Sequence, residues 1–421
     1  MTKRNSNIAK LPAGYLFPEI SRRKNEFLGK NPDAKLISLG IGDTTEPITK
    51  HIAKALTNAA SALGTKDGYR GYGNEQGLLE LREKIAEVVY NGSVSGEEVF
   101  VSDGAKPDIG RLQLLFGNDA VVAVQDPAYP VYIDSSVMYG KTGNYNKKTN
   151  EFSNIVYMPC TPENNFFPDL RKIGKADVIF FCSPNNPTGA VAAKGQLKEL
   201  VQYAKKNGSI IIFDAAYSEY IADRSLPKSI YEIDGAKEVA IEVNSFSKSV
   251  GFTGVRLGWT IIPNELRFDD GSLVRNDWNR VMTTLFNGAS NISQAGGLAS
   301  LDNAGLKEMR QTVSYYMENA KLIKSALEKL GYEAYGGDNA PYIWARMKLS
   351  NENEKGLEKP KAFQRNMKSW EAFEHLLQKV NIVTTPGVGF GQQGEGFLRF
   401  SAFGHREDIE EAVKRLRVKL K

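Results

Sequence analysis

The sequence predicts an α/β fold in which a large domain, with a mainly parallel central sheet covered by helices, is joined to a smaller α+β domain. Continuous apolar runs such as "VIFF" and "IIIF" alternate with helical patterns, which is typical of parallel strands buried on both faces. This alternation of buried strands and helices changes character in the C-terminal part of the chain. A length of 421 residues is also large for one compact core, so two domains are expected.

The elements of the large domain can be followed in order. A strand ending in a turn is predicted for "EEVFVSDGA", and a helix for "KPDIGRLQLLFG". Buried strands running into loops are predicted for "DAVVAVQDPAYP" and "KADVIFFCSPNNPTG", followed by a helix over "GQLKELVQYAKKNG" that ends at Gly208. Two more strands are predicted for "GSIIIFDAAY" and "EVAIEVNSFSK". Polar residues just past such runs should meet at one sheet edge, where ligands bind: Asp126, Asn186, Asp214 and Lys248.

The C-terminal part indicates the smaller α+β domain, with helices and strands predicted over "YYMENAKLIKSALEKLGYEAYGG", "PYIWARM", "WEAFEHLLQKVNIVTTPG", "GFLRFSAFG" and "REDIEEAVKRLRVKL". We expect an N-terminal arm and part of the small domain at residues 1–46, the large domain at 47–300 and the rest of the small domain at 301–421. Residues 350–369 are charged and poor in helical pattern, and they are interpreted as a surface insertion.

Composition excludes several classes of function. The net charge is only +5, without a basic arm, so nucleic-acid and membrane binding are not expected. The chain has two cysteines, Cys160 and Cys182, and three scattered histidines. These argue against a disulfide scaffold or a metal site and fit a reducing compartment. The apolar runs are too short for a membrane span, and the N-terminus lacks the apolar core of a signal peptide.

The motif "NSFSKSVGFTGVRLGW" places Lys248 between small hydroxyl residues. A lysine amine becomes a nucleophile toward carbonyls when desolvation or a nearby cation lowers its pKa. Arg256, Ser245 and Ser247 supply the donors of a phosphate site. A reactive amine beside a phosphate site indicates pyridoxal 5′-phosphate (PLP), which is both an aldehyde and a phosphate. On this motif alone, an ordinary lysine in a surface loop is as good an interpretation.

The other strand ends favour the cofactor. PLP needs an acid beside its ring nitrogen, and Asp214 suits that role, although alone it would be interpreted as a helix N-cap. Asn186 and Tyr217 could donate to the phenolate oxygen, and Tyr129 could stack on the ring. The segment "SDGAKPD" opens a helix, where backbone N–H groups receive a phosphate. Each feature is weak alone, but their order after successive strands is a strong indication.

The series "SDGAK", "DPAYP", "SPNNPTG", "FDAAY", "SFSK" and "GVRLGW" resembles the fold-type I PLP-dependent aminotransferases over nearly the whole chain. Within that family, several segments resemble the subgroup acting on LL-diaminopimelate more than the aspartate or aromatic aminotransferases: "YLFPEI", "LGIGDTTEP", "GYRGYGNEQG", "FNGASN", "GGDNAPYIW" and "GEGFLRFSAFGHRE".

The resemblance implies a role for each matching residue. Lys248 would bind PLP covalently and move the proton, and Asp214 would pair with the ring nitrogen. Asn186 and Tyr217 would bind the phenolate oxygen, and Tyr129 would stack on the ring. The remaining cofactor contacts would come from Tyr72, Ala105, Lys106, Ser245, Ser247, Arg256 and Asn287.

The resemblance also implies the substrate contacts. Arg399 would hold the substrate α-carboxylate, with an ordinary strand-end arginine as the alternative. Glu75 would meet the distal ammonium and Lys106 a carboxylate; without the motif, both would be interpreted as solvated surface charges. Tyr72 would reach the site of a second subunit, which implies a homodimer with shared active sites. The other substrate contacts would be Tyr15, Gly42, Tyr129, Asn186 and Asn287.

The implied reaction is reversible transamination in lysine biosynthesis: LL-2,6-diaminopimelate and 2-oxoglutarate give tetrahydrodipicolinate and glutamate. The resemblance places it in a bacterial cytoplasm, or in the plastid stroma of a plant or alga. A plant defence-type aminotransferase acting on lysine or another amino acid is a rival, as is another PLP reaction on the same fold. Lys106 after "SDGA" favours diaminopimelate. A PLP-binding transcription regulator has little support, because few residues precede "GYLFPEI".

Overall fold

The computed structural model describes residues 1–11, 16–349 and 365–420. The helices are α1 Leu16–Lys30, α2 Lys50–Ala62, α3 Leu79–Val88, α4 Ala105–Leu112, α5 Val131–Met138, α6 Lys194–Asn207, α7 Phe246–Ser249, α8 Val274–Leu285, α9 Asn291–Ser300, α10 Asn303–Lys329, α11 Ser369–Val380 and α12 Arg406–Lys419. The strands are β1 Ile37–Ser38, β2 Val99–Ser102, β3 Val122–Asp126, β4 Tyr145–Asn146, β5 Glu151–Phe152, β6 Ile155–Pro159, β7 Val178–Cys182, β8 Ile210–Asp214, β9 Ala240–Ser245, β10 Gly258–Ile261, β11 Glu333–Gly336, β12 Tyr342–Arg346, β13 Lys348–Leu349, β14 Arg365–Asn366, β15 Ile382–Val383, β16 Thr385–Pro386 and β17 Phe397–Ser401.

The central sheet has seven strands in the order β2-β10-β9-β8-β7-β3-β6. Its neighbours pair in parallel from β9 to β6, and only β10 runs against its two neighbours. Every residue of β7 and β8 is buried, because hydrophobic clusters cover both faces of the sheet. The predicted mainly parallel sheet is therefore confirmed, and its crossovers bring the carboxyl ends of β7, β8 and β9 to one edge.

The helix predicted to end at Gly208 is present as α6. Leu197, Leu200, Val201 and Ala204 form its buried face, with the three- and four-residue spacing of an amphipathic helix. Gly208 follows the last helical residue with φ of +66° and donates its N–H to the Ala204 carbonyl. Glycine adopts this left-handed conformation without the steric cost of a Cβ atom. The chain then turns directly into β8.

A second, antiparallel sheet has the order β11-β12-β17-β16. Trp344 on β12 stacks on Phe397 of β17 with ring centroids 5.1 Å apart, within a hydrophobic cluster separate from those of the central sheet. The N-terminal strand β1 pairs in parallel with β15, so the two ends of the chain meet, as expected for the smaller domain. The boundaries at residues 46 and 300 stay predictions, and most of the predicted insertion at 350–369 lies outside the described residues.

The two sheets are joined at the end of β3. The Ala128 N–H donates to the Phe390 carbonyl at 2.8 Å, and Asp126 accepts from the Gln393 N–H at 3.2 Å. Asp126 therefore binds a loop of the small sheet, whereas the sequence pattern predicted it among the ligand-facing residues. The described helices include none with the length and apolar composition of a membrane span.

Candidate active site

A cleft of about 400 Å³ lies at the carboxyl edge of the central sheet, where the small sheet faces it. Most of the predicted site residues line this cleft: Gly42, Ala105, Lys106, Tyr129, Asn186, Asp214, Tyr217, Ser245, Ser247, Lys248, Arg256 and Arg399. The structure brings them together because successive parallel strands end at this edge and β17 supplies Arg399 from the opposite side.

Lys248 lies in the short helix α7, which follows β9. Its Nζ donates a hydrogen bond to the Gly42 carbonyl, and the Tyr220 hydroxyl fixes its backbone by donating to the Lys248 carbonyl at 2.7 Å. Burial lowers the pKa of Lys248 to about 8; Asp43 opposes this shift, and the cations Arg399 and Arg256 add to it. Near neutral pH the ammonium form still predominates, but the neutral, nucleophilic fraction of the amine is far larger than that of an ordinary lysine.

Asp214 ends β8 and points into the cleft. Its carboxylate accepts from the Tyr132 hydroxyl at 2.8 Å and from the Ala216 N–H at 3.0 Å. Burial raises the pKa of Asp214, because a carboxylate without a cationic partner is costly in a dry environment. A protonated ring nitrogen would offset that cost, so this site fits a cationic ligand.

Hydroxyl and guanidinium donors surround the opposite end of the cleft. Ser245 donates to the Ser247 hydroxyl at 2.7 Å, and Arg256 Nη1 approaches that hydroxyl at 3.4 Å. Helix α4 begins at Ala105 beside them, and its first two residues, Ala105 and Lys106, line the cleft. A Cβ atom on Gly104 would collide with Arg256 Nη2, and Gly104 has φ of +124°. The glycine thus allows the guanidinium to approach the helix start, which makes an anion site.

Arg399 lines the cleft although it is only 2% exposed. Its two terminal nitrogens donate to Asn186 Oδ1 at 2.7 Å and to the Gly40 carbonyl at 2.6 Å. The guanidinium lies between the rings of Tyr342 and Phe390, 4.5 and 4.9 Å from their centroids. Its Nε has no hydrogen-bond partner among the described residues. A buried cation of this shape is suited to a carboxylate that enters the cleft.

Aromatic side chains form the remaining walls. The hydroxyls of Tyr217 and Tyr342 lie 2.8 Å apart. Tyr129 is half-buried and lines the cleft, and its ring packs edge-on against Tyr132 with centroids 6.1 Å apart. Flat apolar faces beside hydroxyl donors are suited to an aromatic ligand with polar substituents.

Some predicted residues are not in this cleft. Tyr72 is 89% exposed, and Glu75 and Asn287 are exposed as well. Glu75 lies close to Gly288, the residue that follows Asn287, because a Cβ atom on Gly288 would be 3.5 Å from Glu75 Cα. Within one chain, these residues therefore belong to an outer surface. Tyr15 lies outside the described residues.

The structure also reveals cleft residues that sequence reasoning missed, above all Tyr132 and Tyr342. Tyr132 follows Tyr129 by three residues in "YPVY", a spacing that could have placed both rings on one helix face. Tyr342 lies in the strand "PYIWARM" of the small sheet. No pattern within that strand indicates which of its residues face the central sheet. The other missed residues are Phe17, Ile41, Asp43, Ile109, Cys182, Ala216 and Thr253.

Comparisons with known proteins agree with this arrangement. A family model described as aminotransferase class I and II matches residues 34–416. The chain is 55% identical over 417 residues to the LL-diaminopimelate aminotransferase of Protochlamydia amoebophila (strain UWE25), across 99% of this chain and 97% of that relative. It is 54% identical to the chloroplastic LL-diaminopimelate aminotransferase of Arabidopsis thaliana, across 98% of this chain and 86% of that relative. The solved structure of L,L-diaminopimelate aminotransferase from Chlamydomonas reinhardtii matches with a TM-score of 0.90 and 55% identity over 98% of each chain.

Proposed function

The chain belongs to the class I and II aminotransferases, and we propose that it exchanges amino groups between LL-2,6-diaminopimelate and 2-oxoglutarate, giving tetrahydrodipicolinate and glutamate. The proposal rests on one observation above all: a lysine with a lowered pKa and a buried arginine meet in a single cleft. The relatives that are named for LL-diaminopimelate support the choice of substrate.

The cleft fits pyridoxal 5′-phosphate. Ser245, Ser247, Arg256 and the start of α4 would hold the phosphate, and Asp214 would stabilise a protonated ring nitrogen. Lys248 would bind the cofactor covalently. When bound, the cofactor supplies an electron sink for the electron pair left by a broken Cα–H bond. The close approach of Arg256 to Gly104 supports this assignment, because it places the guanidinium beside the start of α4.

The chain's own residues bind the substrate and move its proton. Arg399 holds the α-carboxylate and so fixes the orientation of the substrate's Cα in the cleft. Once the substrate's amine has displaced Lys248 from its bond to the cofactor, the freed Lys248 Nζ would be the base that takes the Cα proton. Its lowered pKa matters here, since a general base works best when its pKa lies near the operating pH. Because Arg399 is buried, little water can compete for its contact with the substrate's α-carboxylate.

The distal end of diaminopimelate requires partners for both an ammonium and a carboxylate. Lys106 lines the cleft and can pair with the distal carboxylate, which also suits the side chain of glutamate. Glu75, Tyr72 and Asn287 are exposed in the single chain. We infer that a homodimer brings these residues of one subunit to the cleft of the other. Large apolar residues that are exposed and lie within a few positions of them in the sequence support such an interface, namely Tyr69, Leu79 and Leu285. The compartment stays a prediction.

A coupled assay with separated isomers tests the proposal. LL-diaminopimelate, meso-diaminopimelate and lysine would each be offered with 2-oxoglutarate, and glutamate formation measured. We expect the highest kcat/KM with LL-diaminopimelate. Equal turnover of lysine would favour the rival lysine-type aminotransferase. Absence of glutamate with every donor, in protein that binds PLP, would favour a different PLP reaction.

A further inference from the structure

Tyr342 contacts the machinery of the cleft at more than one point, although it comes from the small sheet. It lies on β12 and is 1% exposed. Its hydroxyl is 2.8 Å from that of Tyr217, and its ring faces the guanidinium of Arg399 at 4.5 Å. One side chain therefore touches both the group assigned to the cofactor and the group assigned to the substrate carboxylate.

The donor in the Tyr217–Tyr342 hydrogen bond follows from counting protons. The distance allows either hydroxyl to donate, but a tyrosine hydroxyl has a single proton. If Tyr217 donates its proton to the phenolic oxygen of the cofactor, it can only accept from Tyr342. A hydroxyl that accepts one hydrogen bond becomes a better donor in the next, because such chains polarise cooperatively.

The position of the Tyr342 hydroxyl is fixed by its surroundings. A Cβ atom on Gly42 would lie 2.6 Å from it, so the hydroxyl occupies the space that a larger residue at position 42 would take. The carbonyl of Gly42 in turn accepts from Lys248 Nζ. The charged or titratable groups around Tyr342, besides Tyr217, include Arg399, Tyr129, Cys182 and Tyr220.

We propose that Tyr342 is a positioning residue that donates to Tyr217, thereby directs the Tyr217 hydroxyl at the cofactor's phenolic oxygen, and supports Arg399 with its ring. This inference rests on the proposed function, because it requires a bound cofactor with that oxygen. Through Tyr342, the small sheet would then influence the electronic state of a cofactor that is bound mainly by residues of the central sheet.

The first test measures the pH dependence of the absorbance of the PLP-loaded enzyme. A donor to the anionic oxygen favours the deprotonated form of the bound cofactor, so its loss raises the cofactor's pKa. Tyr217→Phe should raise this pKa by about 1 unit. Tyr342→Phe should raise it by about 0.3 unit, since only the cooperative part of the bond is lost. In the Tyr217→Phe background, Tyr342→Phe should cause no further shift.

A matched control separates this role from general loss of structure. Tyr316 belongs to the same buried aromatic cluster, and its hydroxyl accepts from the Thr45 and Glu46 N–H groups at 2.9 and 2.7 Å. Tyr316→Phe should lower the melting temperature and leave the cofactor's pKa unchanged. An equal shift in Tyr316→Phe, no upward shift in Tyr342→Phe, or additive shifts in the double variant would overturn the inference. A wild-type enzyme without any cofactor absorbance would instead contradict the proposed function itself, and with it this inference.

The ring contact has a separate readout. Tyr342→Phe keeps the ring beside Arg399, so the KM for glutamate should remain close to the wild-type value. Tyr342→Leu removes the ring and should raise the KM for glutamate by about 30-fold, the size of one fully desolvated cation–π contact. Equal KM values for the Tyr342→Phe and Tyr342→Leu variants would contradict the proposal that the Tyr342 ring supports Arg399.

Discussion

Replacing Arg399 with lysine is the sharpest perturbation of substrate binding that this cleft offers. The change keeps the positive charge and most of the side-chain length but removes the planar pair of donors. In the structure, the two terminal nitrogens already bind Asn186 and the Gly40 carbonyl, and the Nε has no partner among the described residues. A lysine ammonium cannot keep both of these hydrogen bonds and also bind a carboxylate through two parallel ones.

The size of the effect follows from the hydrogen bonds that a lysine at position 399 cannot make. A hydrogen bond to a charged group contributes about 1.5–3 kcal/mol, and Arg399→Lys should forgo one or two of them with each substrate. One or two such bonds amount to about 1.5–6 kcal/mol, so we expect kcat/KM to fall by about 10- to 10⁴-fold. The fall should be similar for diaminopimelate, glutamate and 2-oxoglutarate, because each has a carboxylate beside the reacting carbon.

The assay is steady-state kinetics in both directions, with Arg346→Lys as the control. Arg346 lies on the neighbouring strand β12, also faces an aromatic ring, that of Phe397 at 4.4 Å, and pairs with Glu333 at 3.2 Å. It does not line the cleft, so Arg346→Lys should change kcat/KM by less than about twofold. An Arg399→Lys enzyme that binds PLP and keeps kcat/KM within a few fold of wild type would refute the assignment of Arg399.

Three other variants test further parts of the account. Lys248→Ala should abolish turnover but still bind PLP, since the phosphate contacts remain; wild-type rates would contradict the role of this lysine. Glu75→Ala should lower kcat/KM for diaminopimelate more than for glutamate, which has no distal ammonium, and equal losses would remove Glu75 from that role. Burial raises the pKa of Glu242 from 4.5 to about 7, so its contribution to stability is fully present below pH 4.5 and is lost as the pH rises through 7. The stability of Glu242→Gln, measured as unfolding free energy relative to wild type, should therefore rise by on the order of 2 kcal/mol between pH 5 and pH 8. Urea titrations at constant PLP measure it. A difference between variant and wild type that stays the same at both pH values would contradict titration of the buried carboxyl.

Sequence reasoning predicted which polar side chains meet at the carboxyl edge of the central sheet, for a physical reason. Parallel strands end at a common edge, so polar residues after buried apolar runs must converge, as Asn186, Asp214 and Lys248 do. The exception, Asp126, shows the limit of that rule. It too ends a strand, but its carboxylate binds the Gln393 N–H of the small sheet, a contact between sheets that the strand pattern does not contain.

The parts that the sequence did not predict depend on residues distant in the chain. Tyr342 meets Tyr217 across 125 positions, and only the packing of the small sheet against the large one creates that pair. Asp214 was predicted, but its Tyr132 partner was not, because a tyrosine inside a helix is more often an ordinary core residue. The predictions for Tyr72, Glu75 and Asn287 require a second subunit, so they stay predictions.

The most direct test of the central claim is to find where the cofactor becomes attached. The PLP-loaded enzyme would be reduced with borohydride, digested, and its peptides analysed by mass spectrometry. We predict a pyridoxyl-phosphate mass on the peptide that contains Lys248, and none on the peptide with Lys106, another amine that lines the cleft. An unlabelled Lys248, or a label at Lys106 instead, would contradict the account.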